Sequence, residues 1–235
     1  MKRALFCGLA LFLLSTALPC FAQQTDIRQF VVFGAYSYLS TPSLNLTQRG
    51  FDGDFGYNFR PWLSLGFDFG YYTGHSSLFG NDLNAATQAK LAQFLGSLPP
   101  AQLAAVLAAL QGGVPYNNST QTYEAGPQFN YRRLKKVTFF VRPALGALHS
   151  NFSVTNPAFQ PIVIGLLGST SKSDTVVFYG FGGGITWEIS PHFGLRVTTD
   201  FAHYNFFSDV LNGGRNSVRV SVGPKFSFGK NILQK

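Results

Sequence analysis

The feature that most constrains this chain is a strict alternation of apolar and polar residues along its segments. In FGLRVTTDFAHY, residues 193–204, one parity is mostly apolar and the other carries Arg196 and Asp200. VRVSVGPKFSF, residues 218–228, divides the same way, with Arg219 and Lys225 opposite valines and phenylalanines. Because successive strand residues point to opposite faces, each segment is predicted to be a two-faced strand. The pattern recurs through nearly every segment after the N-terminal leader, which favours a membrane β-barrel with apolar residues outside over a soluble sandwich.

The first 22 residues have the three regions of a secretory signal peptide. Lys2 and Arg3 precede an apolar run at 4–18, and small residues end at Ala22. We therefore predict a Sec-type signal peptide at 1–22, cleaved after Ala22, and a mature chain that begins at Gln23.

The remaining composition excludes several classes of protein. Cys7 and Cys20 leave with the leader, which excludes disulfides and thiolate metal sites. Acylation of Cys20 is the weaker alternative, because Pro19 stands where a lipoprotein has a small residue. No further apolar run reaches the ~20 residues of a spanning helix. Losing Lys2 and Arg3 lowers the formal charge from +8 to +6, and the other cations form no long patch, so nucleic acid is not an expected partner.

Turn signals divide residues 23–229 into one domain of eight predicted strands, followed by a short tail at 230–235. The strands are predicted at 28–39, 47–58, 61–73, 120–132, 137–150, 175–188, 193–205 and 216–228. An even number lets the sheet close as an all-β, antiparallel, up-and-down transmembrane barrel. Short connections around Arg60, Leu134 and Pro191 are expected in the periplasm. The long connections at 41–46, 73–119, 151–172 and 206–215 are expected to face outward from the cell.

Parity assigns a set of apolar side chains to the lipid. They are Phe55, Tyr57, Leu65, Phe67, Phe69, Phe129, Val141, Leu145, Phe181 and Ile185. Aromatic residues also gather near both ends of the predicted strands, as interfacial belts require. The periplasmic belt comprises Trp187, Phe139, Tyr131 and Phe228, and the outer belt comprises Tyr36, Tyr38, Tyr71 and Tyr123.

The same parity sends ten charged side chains into the lumen. They are Asp52, Asp54, Asp68, Glu124, Glu188 and Asp200, with Arg142, Arg196, Arg219 and Lys225. Because burying a charge costs several kcal/mol unless it is paired or wetted, we expect an internal salt-bridge network. The favoured interpretation is a structural plug, since the interior of an eight-stranded barrel is just wide enough for side chains to fill. The alternative is an ion path or proton relay.

These segments resemble the outer-membrane β-barrel domain family, the small eight-stranded barrels similar to the transmembrane domain of OmpA. The resemblance spans Ile27 to Phe228 and rests on FVVFGAYSYLS, EAGPQFNYR, KVTFFVRPALGALH, VVFYGFGGGITWEIS and VRVSVGPKFSFG. It implies assembly by periplasmic chaperones and the barrel-insertion machinery, and a role in envelope integrity, adhesion or simple pores, without specifying one activity. Such barrels usually end on an aromatic residue. Here Phe228 is followed by GKNILQK, so either the last strand is recognised internally or the tail hangs in the periplasm.

The second outer loop changes its hydrophobic period from two to 3.6 over residues 81–113, which predicts two amphipathic helices in an αα-hairpin. Asn81 or Asp82 is the predicted cap of the first helix and Gly96 its end, while Pro99 and Pro100 begin the second.

Lys90 is the one basic residue of this hairpin, so its apolar stripes must be covered by each other, the barrel rim, lipid or a partner. Mutual packing of the two helices is the simplest cover, and a lid over the lumen or a docking surface for a partner is the alternative. The candidate partner or lid surface consists of Leu91, Phe94, Leu95, Leu103, Val106, Leu107 and Leu110.

Enzymatic chemistry is not expected. A lipid A deacylase would need a His and a Ser on one face of a strand near the outer rim, with a supporting Glu. In LHSNFS, Ser150 points away from His149, and Glu124 points into the lumen while His149 faces lipid. The four histidines are scattered over both ends of the barrel, without the close spacing of metal ligands, so no metal or other cofactor is expected.

The sequence thus predicts an integral protein of the bacterial outer membrane with a largely closed, charge-filled lumen. A structural, adhesive or partner-binding role of its surface is the favoured function. A narrow gated pore for ions or small solutes is the alternative, ahead of a lipid A-modifying enzyme. The expected partners are outer-membrane lipid and lipopolysaccharide, the assembly machinery, and a surface ligand that the sequence does not identify.

Overall fold

The computed structural model describes residues 24–234, so the predicted signal peptide lies outside the described residues. The strands are β1 (Arg28–Thr41), β2 (Leu46–Arg60), β3 (Leu63–Leu78), β4 (Val114–Tyr131), β5 (Val137–Ser153), β6 (Ser171–Glu188), β7 (Phe193–Tyr204) and β8 (Arg215–Asn231). Each strand pairs with the next in antiparallel order, and β8 pairs with β1, which closes the barrel. The eight predicted strands and the fold class are confirmed.

Several strands extend further toward the outer loops than the alternation predicts. Leu78 pairs with Val114 on β3 and β4, and Ser153 pairs with Ser171 on β5 and β6. The second and third long connections are therefore shorter than predicted. The outward side chains of the extra residues are mostly polar, whereas inward ones such as Val114 and Phe152 are apolar and buried. A pattern based on one apolar face cannot detect them.

The closing strand corrects the predicted boundary of the tail. β8 continues past Phe228 to Asn231, where the predicted strand and domain end at 228 and 229. Asn231 Oδ1 accepts a hydrogen bond of 3.1 Å from the backbone N–H of Ile27, and the N–H of Ile232 donates to the Ile27 carbonyl at 2.9 Å. The first part of GKNILQK is thus held against the N-terminal segment, because β1 offers it backbone partners that the sequence pattern does not reveal.

The two faces of the sheet follow the predicted parity. All ten side chains assigned to the lipid are on the outer surface, from Tyr57, which is half-buried, to Leu145, which is 66% exposed. The alternate positions are buried, including nearly all of the predicted lumen charges. The barrel is therefore apolar outside and polar inside, the inverse of a soluble protein.

Three helices lie at the end of the barrel that carries the long connections, which we call the outer end after the predicted orientation: α1 (Ala85–Gly96), α2 (Pro100–Gln111) and α3 (Gln160–Leu167). The predicted hairpin is α1 and α2, with Gly96 and Pro100 as expected. The predicted cap is wrong: Asn84 Oδ1 accepts the N–H of Thr87 at 2.8 Å, because Gly80–Asp82 forms a separate short helical turn. Helix α3 was not predicted from the sequence. No helix within residues 24–234 has the length and apolar character needed to cross a membrane.

The helices and the last outer loop share a hydrophobic core, which we call the outer cap. It includes Tyr116, Phe152, Ile162, Phe207 and Val210, all buried. Leu91 and Phe94 of α1 and Val106 and Leu110 of α2 pack against it. The stripes of the hairpin are therefore covered by the barrel rim and the other loops, so mutual packing of the two helices is not their main cover.

Candidate functional site

The centre of the lumen is organised by two buried arginines, and the first is Arg219 on β8. Its Nη1 lies 2.7 Å from Asp68, and its Nη2 lies 3.0 Å from Asp200 and 3.3 Å from Glu124. Glu124 is on β4, directly across an eight-stranded barrel from β8. This contact therefore spans the full width of the lumen.

Arg142 on β5 is the second centre of the network. Its Nη1 lies 2.9 Å from Asp54, its Nε lies 3.1 Å from Asp200, and both Asp68 and Glu124 lie at 3.5 Å. Three of these four carboxylates are shared with Arg219, so the two guanidinium groups and their partners form one connected layer. All of these side chains are less than 10% exposed.

Asp52 is held mainly by hydroxyl groups. Ser37 donates to its carboxylate at 2.7 Å, and Tyr72 and Ser221 also donate to it. Arg219 is more distant, at 3.6 Å. The lumen position of Asp52 was predicted from the sequence, but its three hydroxyl partners were not. The same parity that places Asp52 inside also places Tyr72 inside, so the signal was present.

Below this layer, the lumen is filled by a stacked arginine and an ion pair. The guanidinium of Arg196 lies 5.4 Å from the ring centre of Phe33 and 4.9 Å from that of Phe140, and its Nε donates to Thr186 at 3.0 Å. Lys225 Nζ lies 2.6 Å from Glu188. The inward aromatic rings were not predicted, because each lies within a run of phenylalanine or valine in which the two faces have similar character.

Above the charged layer is a neutral hydrogen-bonded layer, and then the outer cap. Gln48 Nε2 donates to Asn118 at 2.8 Å and to Thr120 at 3.0 Å, and Asn118 Nδ2 donates to Ser150 at 2.9 Å. In the cap, the ring centres of Tyr116 and Phe152 are 4.7 Å apart. The polarity of the interior thus falls from the charged centre to the outer end.

The structure brings the ten predicted lumen charges into this one stack. Asp52, Asp54, Asp68, Glu124 and Asp200 surround Arg142, Arg196 and Arg219, while Glu188 and Lys225 lie below them. Five carboxylates therefore face three arginines in the central cluster. Such a buried cluster is compatible with stability only because nearly every oxygen has a cationic or hydroxyl partner.

The predicted hairpin surface divides into two parts. Leu91, Phe94, Val106 and Leu110 contact the outer cap, and Leu95 and Leu103 are half-buried. Leu107 is 45% exposed. Only a minor part of the predicted surface therefore faces solvent.

The histidine considered for lipid hydrolysis lies outside the lumen. His149 Nδ1 is 2.7 Å from the hydroxyl of Thr175, whereas Ser150 is buried on the opposite face beside Asn118. Glu124 is bound to Arg219 in the lumen. Within residues 24–234, no group of three or more His, Cys, Asp or Glu side chains is arranged to hold a metal ion.

Comparison with known proteins identifies the architecture. No protein-family model and no curated protein sequence matches the chain. Among solved structures, neisserial surface protein A (NspA) matches with a TM-score of 0.50 and 13% identity, over 85% of this chain and 96% of that one. The chain has the fold of the eight-stranded outer-membrane β-barrels.

Two further outer-membrane barrels match less closely. OprG of Pseudomonas aeruginosa has a TM-score of 0.45 and 9% identity, over 89% of this chain and 100% of its own. The attachment invasion locus protein (Ail) of Yersinia pestis, in complex with a heparin analogue, has a TM-score of 0.44 and 14% identity, over 84% of this chain and 96% of its own. Likenesses at these identities do not extend to function, which must be argued from the residues of this barrel.

Proposed function

We propose that this protein is an integral outer-membrane barrel with a closed lumen, which acts through the surface formed by its outer cap. The observation that carries the proposal is the contact of Arg219 with Glu124, 3.3 Å apart on opposite strands. A lumen bridged in this way has no room for a solute to pass without breaking several ion pairs. Its charges then serve to hold the strands in register.

Residence in the outer membrane is supported by the outer surface. Leu145, Val177 and Phe181 are each at least 65% exposed, and similar apolar side chains surround the barrel. In water, a continuous apolar surface of this size favours aggregation. In a membrane, the same surface is in contact with lipid, as expected for a transmembrane barrel. Near the short turns, the ring centre of Phe30 lies 5.3 Å from that of Tyr57 and 5.3 Å from that of Phe228. Such a cluster of aromatic rings is expected for an interfacial belt.

The orientation can be tested with single cysteines, because both native cysteines precede the predicted cleavage site. With the cap outside the cell, Leu107→Cys in α2 is expected to react with a membrane-impermeant maleimide on intact cells. Leu134→Cys in the turn after β4 is expected to react only after the outer membrane is broken. Both side chains are exposed, at 45% and 37%, so burial does not bias the comparison. The reverse labelling pattern would contradict the proposed orientation.

Closure of the lumen can be tested by single-channel conductance in planar bilayers. We expect no steady current from the refolded mature chain. We also expect none from a variant in which residues 81–113 are replaced by a short Gly/Ser turn, because the Arg142 and Arg219 contacts lie below the hairpin.

The alternative, a narrow gated pore, predicts a different result. Current that appears only in the variant without 81–113 would make the hairpin a lid over a pore and would contradict the proposed closed lumen. Current from both proteins would contradict it as well. That the outer surface binds a partner, and that the protein is not an enzyme, stay predictions from the sequence.

A further inference from the structure

At the end of the barrel opposite the cap, the short turns border a partly open cavity of about 200 Å³ that several charged residues line. Its walls come from the N-terminal segment before β1, the ends of β2 and β8, and the turns after β4 and β6. The charged residues in its lining are Arg28, Arg132, Lys135, Lys136 and Lys225, with Asp26 and Glu188. Five cations therefore face two carboxylates, a formal excess of three positive charges.

The two carboxylates are already engaged. Asp26 lies 2.8 Å from Arg28, and Glu188 lies 2.6 Å from Lys225. Arg132, Lys135 and Lys136 form no ion pair with any carboxylate in residues 24–234. The uncompensated charge of the cavity is thus concentrated in the turn between β4 and β5.

Unpartnered polar atoms are also concentrated in the walls of this cavity. Across residues 24–234, six buried side-chain nitrogen or oxygen atoms have no hydrogen-bond partner. Four of the six belong to residues that line the cavity, and three of these, Arg28 Nε, Arg132 Nη1 and Ser227 Oγ, can donate to an anion, whereas the fourth, Asp26 Oδ1, is an acceptor that a phosphate does not satisfy. Because native structures satisfy nearly all buried polar groups, such a cluster indicates a place where another molecule supplies the partners.

Arg132 is held in a position suited to this role. Its Nη2 donates to Asn58 Oδ1 at 2.9 Å, which orients the guanidinium and leaves Nη1 without an acceptor. A guanidinium with a free N–H beside two lysine ammonium groups is a typical arrangement for recognising a phosphate. The volume is smaller than the roughly 300–1,000 Å³ of pockets for drug-sized ligands, so the site suits one compact group.

We propose that this cavity binds a phosphate group, as free inorganic phosphate or as the headgroup of an anionic phospholipid. The lipid source depends on the proposed orientation, which places the short turns beside the inner leaflet. Phosphate binding itself does not depend on that orientation. The lysines of the turn neutralise the anion, and Arg132 donates to its oxygens.

The test is a calorimetric titration of the refolded chain in an uncharged maltoside detergent at low, constant ionic strength. The two probes are inorganic phosphate and short-chain phosphatidylglycerol. We expect at least one probe to bind, and Lys135→Gln with Lys136→Gln to weaken that binding at least about tenfold, because charge-assisted hydrogen bonds are lost. Both lysines are exposed, so the variant is expected to fold.

The matched control is Arg60→Gln with Arg133→Gln. It removes the same charge from exposed residues of the short turns that do not line the cavity, and we expect a change of less than about twofold. Equal weakening by both double variants would overturn the site in favour of a diffuse positive field. Binding of neither probe would also overturn the site. Because the titration measures neither conductance nor topology, its failure leaves the proposed function standing.

Discussion

Replacing Arg219 with methionine is expected to lower the free energy of unfolding of the barrel by about 3–5 kcal/mol. Methionine keeps much of the length of the side chain but removes the charge that lies within 3.3 Å of Asp68, Asp200 and Glu124. These carboxylates would then be buried together with Arg142 as their main cation. Urea unfolding in lipid vesicles, followed by tryptophan fluorescence, measures the loss.

The control for this variant is Arg49→Met. Arg49 is exposed on β2 and has no ion pair in residues 24–234, so its replacement is expected to change stability by no more than about 0.5 kcal/mol. A loss of less than about 1 kcal/mol for Arg219→Met would mean that water, rather than the arginine, compensates the carboxylates. The lumen would then be wetter than the contacts indicate.

The double variant Arg219→Met with Asp68→Asn separates pairing from packing. Asp68 lies 2.7 Å from Arg219, and neutralising it removes one of the charges that the methionine leaves unpaired. The double variant is therefore expected to lose less stability than the sum of the two single variants. Additivity within about 0.5 kcal/mol would contradict the coupling of the two side chains.

Replacing Gly223 with alanine is expected to destabilise the barrel by about 3 kcal/mol through a backbone collision at the closing seam. A Cβ at this position would strike the carbonyl oxygen of Gly34 on β1 and would lie 2.7 Å from the Cα of Ala35. Backbone atoms cannot rotate away as a flexible side chain does, so β8 and β1 would have to separate locally. Pro224, which has no N–H to donate, lies beside this contact and already limits the pairing there.

The matched control, Gly34, lies on the other strand of the same seam. A Cβ on Gly34 meets no atom within 4 Å, so Gly34→Ala is expected to be neutral or slightly stabilising, by up to about 1 kcal/mol. Urea unfolding and the shift in gel mobility between heated and unheated samples measure both variants. A similar loss for the two variants would show that the effect comes from replacing any glycine of the seam, not from the collision at Gly223.

The lumen shows how far parity alone can predict a site. Because a strand has a period of two, the position of each charge inside or outside followed from its sequence neighbours, and Arg142 and Arg219 lie inside as expected. The ion-pair partners of these arginines did not follow from parity. The contact between Arg219 and Glu124 joins residues 95 positions apart, and only the closed barrel brings β8 and β4 face to face.

The outer end shows where the sequence pattern fails. The 3.6 period of the hairpin predicted α1 and α2, but the cap at Asn84 depends on a preceding helical turn, and Asn84 Nδ2 also donates to Ser208 at 3.1 Å. The short α3 lies in an apolar stretch, QPIVIGLL, whose period does not separate a helix from a strand. In both cases contacts between loops decided the local structure.

By itself, the sequence determined the number of strands, their faces, the helical hairpin and the charged character of the lumen, because these depend on periods of two and 3.6 that neighbouring residues establish. Only the tertiary structure decided which charges meet, where β8 ends, what covers the hairpin, and that Arg132, Lys135 and Lys136 share a cavity with the N-terminal segment. The physical reason is the same in each case. Closing the barrel brings together side chains that are distant in the chain, and their pairing depends on the register and curvature of the whole sheet.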